Sequence, residues 1–147
     1  MNVISSKLPT VARILLGGMF VFSGLNGFFQ FAPMPPMPPA AGAFLGALAG
    51  SGYFFPVLKG TELLAGLVLL SGRFVPLALT VLAPILINIV LFHAVLAPAG
   101  VAIPLVLMAA EIYLAWTNRE SFAPLFQSKA KKTDRPAVDH GRLATAS

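Results

Sequence analysis

The sequence predicts an all-α integral membrane protein, a bundle of four transmembrane helices with a short extra helix in the first external loop. Hydrophobic residues make up 57% of its 147 residues and charged residues only 10%, against roughly 25% charged residues in a soluble domain. Two long runs, Ile14 to Leu58 and Phe74 to Ala110, contain no Asp, Glu, Lys or Arg. Apolar runs of about 18 residues or more are typical of membrane-spanning helices.

Four segments are close to the length of about 20 residues that a helix needs to cross a bilayer core. The first ends where the Pro-rich stretch PMPPMPP begins at Pro33, and Pro98 separates the third from the fourth. Together they define a four-helix domain over residues 1–118. The predicted spans cover about residues 9–31, 53–72, 75–96 and 99–117.

The extra helix is predicted over residues 40–50, which read AAGAFLGALAG. This segment is too short to cross a bilayer. Gly42, Gly46 and Gly50 recur every four residues, so one side of the helix permits close backbone contact. We expect it to lie at the outer surface or to be tucked into the bundle.

Positive charge occurs on one side of the predicted membrane. Lys7 and Arg13 precede the first span, Arg73 lies between the second and third, and Arg119 follows the fourth. The two remaining loops contain no Lys or Arg. The positive-inside rule therefore predicts that the N-terminus and the C-terminus are both cytoplasmic, with the lipid bilayer as the first partner of the chain.

The formal net charge of +5 is concentrated at the two ends of the chain. Residues 119–147 carry six basic and three acidic side chains and show no apolar periodicity. They are predicted to form a disordered, basic, cytoplasmic tail. Nucleic acid is not an expected partner, because no basic patch is interleaved with aromatic side chains.

Five polar side chains fall at similar depths within the predicted spans. Counting about 1.5 Å of rise per residue places them about 5–14 Å from the outer end of their helices. Placing an ionisable group inside a membrane costs free energy, so such a group is expected to have a bonding partner or a functional role. The predicted ligand-binding residues are therefore Lys59, Glu62, Asn88, His93 and Asn26.

Each of these residues also has a structural interpretation. Lys59 lies close enough to the outer surface to extend to the headgroups. Glu62 is then either neutral or paired with Lys59, three residues before it on the same helical face. Asn88 can bond a neighbouring helix instead of a ligand, and His93 can belong to the outer interface. The sequence leaves both kinds of role open.

Deeper in the predicted bilayer, Arg13 and Glu111 are expected to form a structural ion pair between the first and fourth spans. The sequence contains no cysteine, which excludes disulfides, Cys-based zinc sites and iron–sulfur clusters within the chain. No metal site, bound cofactor or catalytic residue is predicted. If the chain takes part in an enzymatic reaction, we expect it to do so as a membrane subunit only.

Three stretches resemble the DoxX family, which includes DoxD-like proteins and consists of small four-helix bacterial membrane proteins. They are RILLGGMFVFSGLNGF (13–28), KGTELLAGLVLLSGRF (59–74) and APILINIVLFH (83–93), and the likeness extends over about residues 10–117. The resemblance implies a location in the bacterial cytoplasmic (inner) membrane. It also implies marked family positions at Gly24, Asn26, Glu62, Gly66, Gly72, Arg73 and His93.

The resemblance implies a multi-pass membrane subunit of a redox or detoxification system, either non-catalytic or interacting with quinone. A soluble or membrane redox partner would then supply the electrons, and a homo-oligomer is also compatible with the sequence. Related families act as chaperones or cargo receptors. The alternative is therefore a membrane scaffold, chaperone or small-solute transporter with no redox role.

Overall fold

A computed structural model describes residues 3–126. All regular secondary structure in this part of the chain is helical. The predicted all-α class is therefore confirmed for the described residues. The α-helices are α1 (Val3–Phe29), α2 (Pro39–Gly50), α3 (Phe54–Ser71), α4 (Val75–Leu96), α5 (Ala102–Thr117) and α6 (Arg119–Phe122), with 3-10 turns at Pro98–Gly100 and Ala123–Phe126.

Within the described residues, three helices are long and apolar enough to cross a membrane. They are the Lys7–Phe29 part of α1, all of α3 and all of α4. The fourth predicted span is shorter than expected, because a 3-10 turn occupies Pro98–Gly100 and α5 then has only 16 residues. Three apolar helices are compatible with a membrane protein, and the fourth crossing stays a prediction.

Apart from the late start of α5, the main differences from the predicted helix boundaries occur near the two ends of the chain. The predicted short helix is confirmed as α2, and α4 has the predicted limits. However, α1 begins at Val3 and continues through Pro9, which was expected to start it. Residues 119–126 are helical turns and not disordered tail. The rest of the predicted tail, 127–147, lies outside the described residues.

The four longest helices close around one apolar core. Helix α1 contacts α3 and α5, and α4 contacts the same two helices. Their buried residues recur at helical spacing and face one another, as expected for a helix with one apolar stripe directed inward. The largest buried apolar side chains are Leu16 and Phe20 in α1, Leu69 in α3, Leu79, Leu82 and Leu86 in α4, and Leu107 and Leu114 in α5.

Helices α1 and α3 approach each other through glycines. A Cβ atom added to Gly66 would lie 2.9 Å from the carbonyl oxygen of Gly17, and one added to Gly24 would lie 2.9 Å from that of Lys59. Real Cβ atoms do not occur at such distances. The two backbones are therefore in direct contact, which small residues permit in membrane helix pairs.

Arg13 binds the C-terminal end of α3 and not Glu111. Its Nη1 donates to the carbonyl oxygens of Leu69 and Leu70, at 2.8 and 3.2 Å. These carbonyls belong to the last turn of α3 and lie at its negative dipole end, so a guanidinium is favoured there. The predicted Arg13–Glu111 ion pair is therefore wrong, because the structure uses Arg13 as a helix cap.

Gly72 makes this cap possible. It ends α3 in the left-handed conformation at φ +72° and donates its N–H to the Leu69 carbonyl, which also accepts from Arg13. A Cβ atom there would also collide with the Arg13 guanidinium.

Gly72→Ala should lower the free energy of unfolding by about 1–2 kcal/mol, because a left-handed alanine is strained, and should displace Arg13. Gly60→Ala in the same helix is the control, since its added Cβ meets nothing within 4 Å. Denaturation in detergent micelles would measure both. Equal stability of the two variants would contradict the proposed cap.

Candidate functional site

Lys59, Glu62 and Ser23 form a polar cluster between α3 and α1. The Lys59 Nζ donates to Glu62 Oε2 at 2.8 Å and to Ser23 Oγ at 2.9 Å. The side chain of Glu62 is 1% exposed, whereas that of Lys59 is 19% exposed. The charges neutralise each other inside one helix, and the hydroxyl of a second helix completes the arrangement.

Glycine on α1 provides the space for the Lys59 side chain. A Cβ atom on Gly27 would overlap the methylene groups of Lys59, and Gly24 lies against Leu63 and the Lys59 carbonyl. Ser23 and Gly27, four residues apart, share one face of α1. The lysine side chain therefore folds over α1 towards Glu62 instead of extending away from the bundle.

Two groups of the cluster have hydrogen-bonding capacity left. Oε1 of Glu62 is buried and has no hydrogen-bond partner in the part of the chain that the structure describes. An ammonium has three donors, and Lys59 uses two of them within the described residues. Burying an ion pair costs several kcal/mol of desolvation per ion unless its geometry is good and its other bonds are made. The Lys59–Glu62 pair has good geometry. Among the described residues, however, one Lys59 donor and Oε1 of Glu62 are left without a partner.

Asn26 holds the chain where it leaves α1. Its Oδ1 accepts from the N–H of Ala32 at 2.7 Å, and its Nδ2 donates to the Ala32 carbonyl at 3.3 Å. The side chain thus pairs with both backbone groups of one residue. This use directs the Pro-rich segment that follows, and it occupies the amide that was predicted to meet a ligand.

Asn88 and His93 bond to their own helix. The Asn88 Nδ2 donates to the Pro84 carbonyl at 2.9 Å, and this residue is exposed. His93 Nδ1 lies 2.8 Å from the Ile89 carbonyl. A carbonyl only accepts, so the hydrogen is on Nδ1. Neither side chain bonds to Lys59 or Glu62, and the structure therefore does not assemble the five predicted residues into one cleft.

A small apolar groove lies beside the first half of α3. Its volume is about 240 Å³, below the roughly 300–1,000 Å³ typical of ligand pockets. The one hydroxyl on its α3 wall, that of Thr61, donates to the Val57 carbonyl. The groove contains none of the predicted ligand-binding residues. Its lining consists of Tyr53, Phe54, Val57, Leu58, Thr61 and Ile85.

In the part of the chain that the structure describes, no three His, Cys, Asp or Glu side chains are grouped closely enough to hold a metal ion.

Comparison with family models, curated proteins and solved structures gave no significant match. Over residues 3–126, the fold and site thus define an all-helical protein with three membrane-compatible helices and an internal ion pair. Membership of the DoxX family stays a prediction.

Sequence reasoning missed Ser23 as a partner of Lys59. The available signal was the spacing of Ser23 and Gly27, which marks a face of α1 suited to close helix contact. That spacing says that another helix approaches, but not which one. Only the structure shows that Lys59 of α3 fills the space above Gly27.

Lys59→Met should lower the free energy of unfolding by about 2–4 kcal/mol, because it leaves the buried Glu62 carboxylate without a counter-charge. The second variant, Lys59→Met with Glu62→Gln, should recover part of that loss, since it removes the unpaired charge. Denaturation in detergent measures both. A neutral effect of Lys59→Met would show that the ion pair contributes nothing to stability.

Gly27→Ala should destabilise by about 1–3 kcal/mol, because the added methyl group overlaps the Lys59 side chain in a packed contact. Gly18→Ala on the same helix is the matched control, since its Cβ meets no atom within 4 Å. Thermal unfolding of the two variants in one detergent would test this. If both behave like the parent protein, the Lys59 side chain is not packed over Gly27.

Proposed function

We propose that this chain is a non-catalytic membrane subunit of a redox or detoxification system, similar in type to DoxX proteins. One observation carries the non-catalytic part. Lys59 directs its ammonium to Glu62 and Ser23, inside the contact between α1 and α3. A lysine and a carboxylate used in this way stabilise a helix pair. The redox context depends on the resemblance of residues 13–28, 59–74 and 83–93 to that family.

The separation of the polar residues supports a structural role. General acid–base catalysis requires groups within hydrogen-bond reach of one substrate atom. Asn26 is bonded to the turn after α1, and Asn88 and His93 are bonded to carbonyls of α4. In this proposal the chemistry belongs to a partner protein, and the chain anchors or positions that partner at the bilayer.

A quinone-interacting subunit is the second candidate. The partly exposed Lys59 ammonium has one donor left over, and Leu58 beside it lines the apolar groove. An amphipathic ring needs such a donor at a carbonyl and apolar surface for its tail. The groove itself is small, so a quinone would bind with its ring near Lys59 and its tail along Leu58 and Val57.

Affinity purification of the full chain in mild detergent would test the proposal. Mass spectrometry should identify a redox or detoxification enzyme that co-purifies, and lipid extraction of the same sample would show whether quinone is retained. An unrelated tagged membrane protein from the same host, purified in parallel, is the control.

Quinone that is retained by the parent chain and lost from Lys59→Met would favour the quinone-interacting form. Purification with bulk phospholipid only, or with unrelated membrane proteins, would contradict the redox assignment. It would favour the alternative of a scaffold, chaperone or small-solute transporter.

A further inference from the structure

Glu111 is a second buried carboxyl group, in a different environment from Glu62. It is 4% exposed, and neither of its carboxyl oxygens has a hydrogen-bond partner among residues 3–126. It lies on the buried face of α5, between Leu107 and Leu114. The spacing of these residues is that of a core stripe, so Glu111 occupies a position where an apolar side chain is expected.

Every cation on the neighbouring helices is used elsewhere or lies away from Glu111. Helix α5 packs against α1 and α4, whose charged or titratable side chains among the described residues are Lys7, Arg13 and His93. Arg13 caps α3, and Lys7 is exposed near the start of α1.

His93 and Lys59 of α3 are also bonded elsewhere. His93 bonds to the Ile89 carbonyl and lies against Gly100, whereas Glu111 is nine residues, about 13 Å, beyond the start of α5 at Ala102. Lys59 is paired with Glu62. Tyr113, on α5 itself, is two residues away and points to a different side of the helix.

An isolated carboxylate in apolar surroundings is strongly disfavoured, and such a group takes up a proton instead of remaining charged. We propose that Glu111 is a proton-binding site inside the helix bundle, with its carboxyl group protonated in the folded protein at neutral pH. Glu62 differs because the Lys59 ammonium compensates its charge. The interior therefore holds two carboxyl groups in different environments, one beside an ammonium group and one whose ligand is a proton.

Infrared spectroscopy of the full chain in lipid vesicles would test this inference. The parent protein should show the carbonyl-stretching band of a protonated carboxyl group at neutral pH, shifted after exchange into D2O. Glu111→Gln should lose this band completely, and Glu62→Gln should retain it. Glutamine has the shape of the neutral acid, so Glu111→Gln should keep the melting temperature of the parent protein.

Absence of the band from the parent protein would overturn the proposal. So would its loss in Glu62→Gln and its persistence in Glu111→Gln, which would assign the proton to Glu62. Because a variant can fail to fold, a second measurement uses the parent chain alone. Dicyclohexylcarbodiimide, an apolar reagent for protonated carboxyl groups, should modify Glu111 in preference to Glu62, as located by peptide mass spectrometry. Modification of Glu62 alone, or of neither residue, would contradict the proposal.

This inference is independent of the proposed redox role. The pull-down tests which proteins accompany the chain, whereas the infrared band reports on one side chain. A missing redox partner would leave the Glu111 band unchanged, and a missing band would leave the partner unchanged. The two failures are therefore distinguishable.

Discussion

The contact between α1 and α3 is the constraint on which the rest of the structure depends. Gly17, Gly24 and Gly66 bring the two backbones together, and no side chain separates the helices at these points. At so short a distance, any polar group in the contact must find its partner on one of the two helices. Lys59 and Glu62 satisfy that requirement between themselves, with Ser23 as the link across the contact.

The same constraint explains how the cations are distributed. Arg13 is on α1 near the end of α3, where the carbonyls of the last helical turn are accessible to it. A guanidinium that binds two carbonyl oxygens is not available to a carboxylate on α5. Among the described residues, Glu111 is therefore buried without a counter-charge, and its proposed neutral form follows from where Arg13 is held.

The helices were predictable because their signal is redundant. The charge-free apolar runs and the glycine spacing of α2 each extend over several residues, and Pro33 and Pro98 mark helix boundaries independently of them. No single position therefore decides where the helices are predicted. The error at α5 was local, since Pro98–Gly100 forms a 3-10 turn and shortens the helix that follows. The error at Pro9 was also local. A proline inside a helix removes one backbone hydrogen bond, but it does not always end the helix.

The site was predictable only in part, because depth in a bilayer does not fix direction. Lys59 and Glu62 were placed on one face by their spacing, and they do pair. Asn88 and His93 have the right depth, but each bonds to a carbonyl of its own helix. The prediction of an Arg13–Glu111 pair failed because the sequence does not show which helix end lies beside Arg13.

The position of the ion pair within a single helix has a consequence for how the chain is assembled in a membrane. Lys59 and Glu62 are synthesised together, three residues apart. If α3 is inserted into a membrane, it can therefore enter as an electrically neutral segment that needs no charge from another helix. Neutralisation of the two charges therefore does not depend on the contact between α1 and α3.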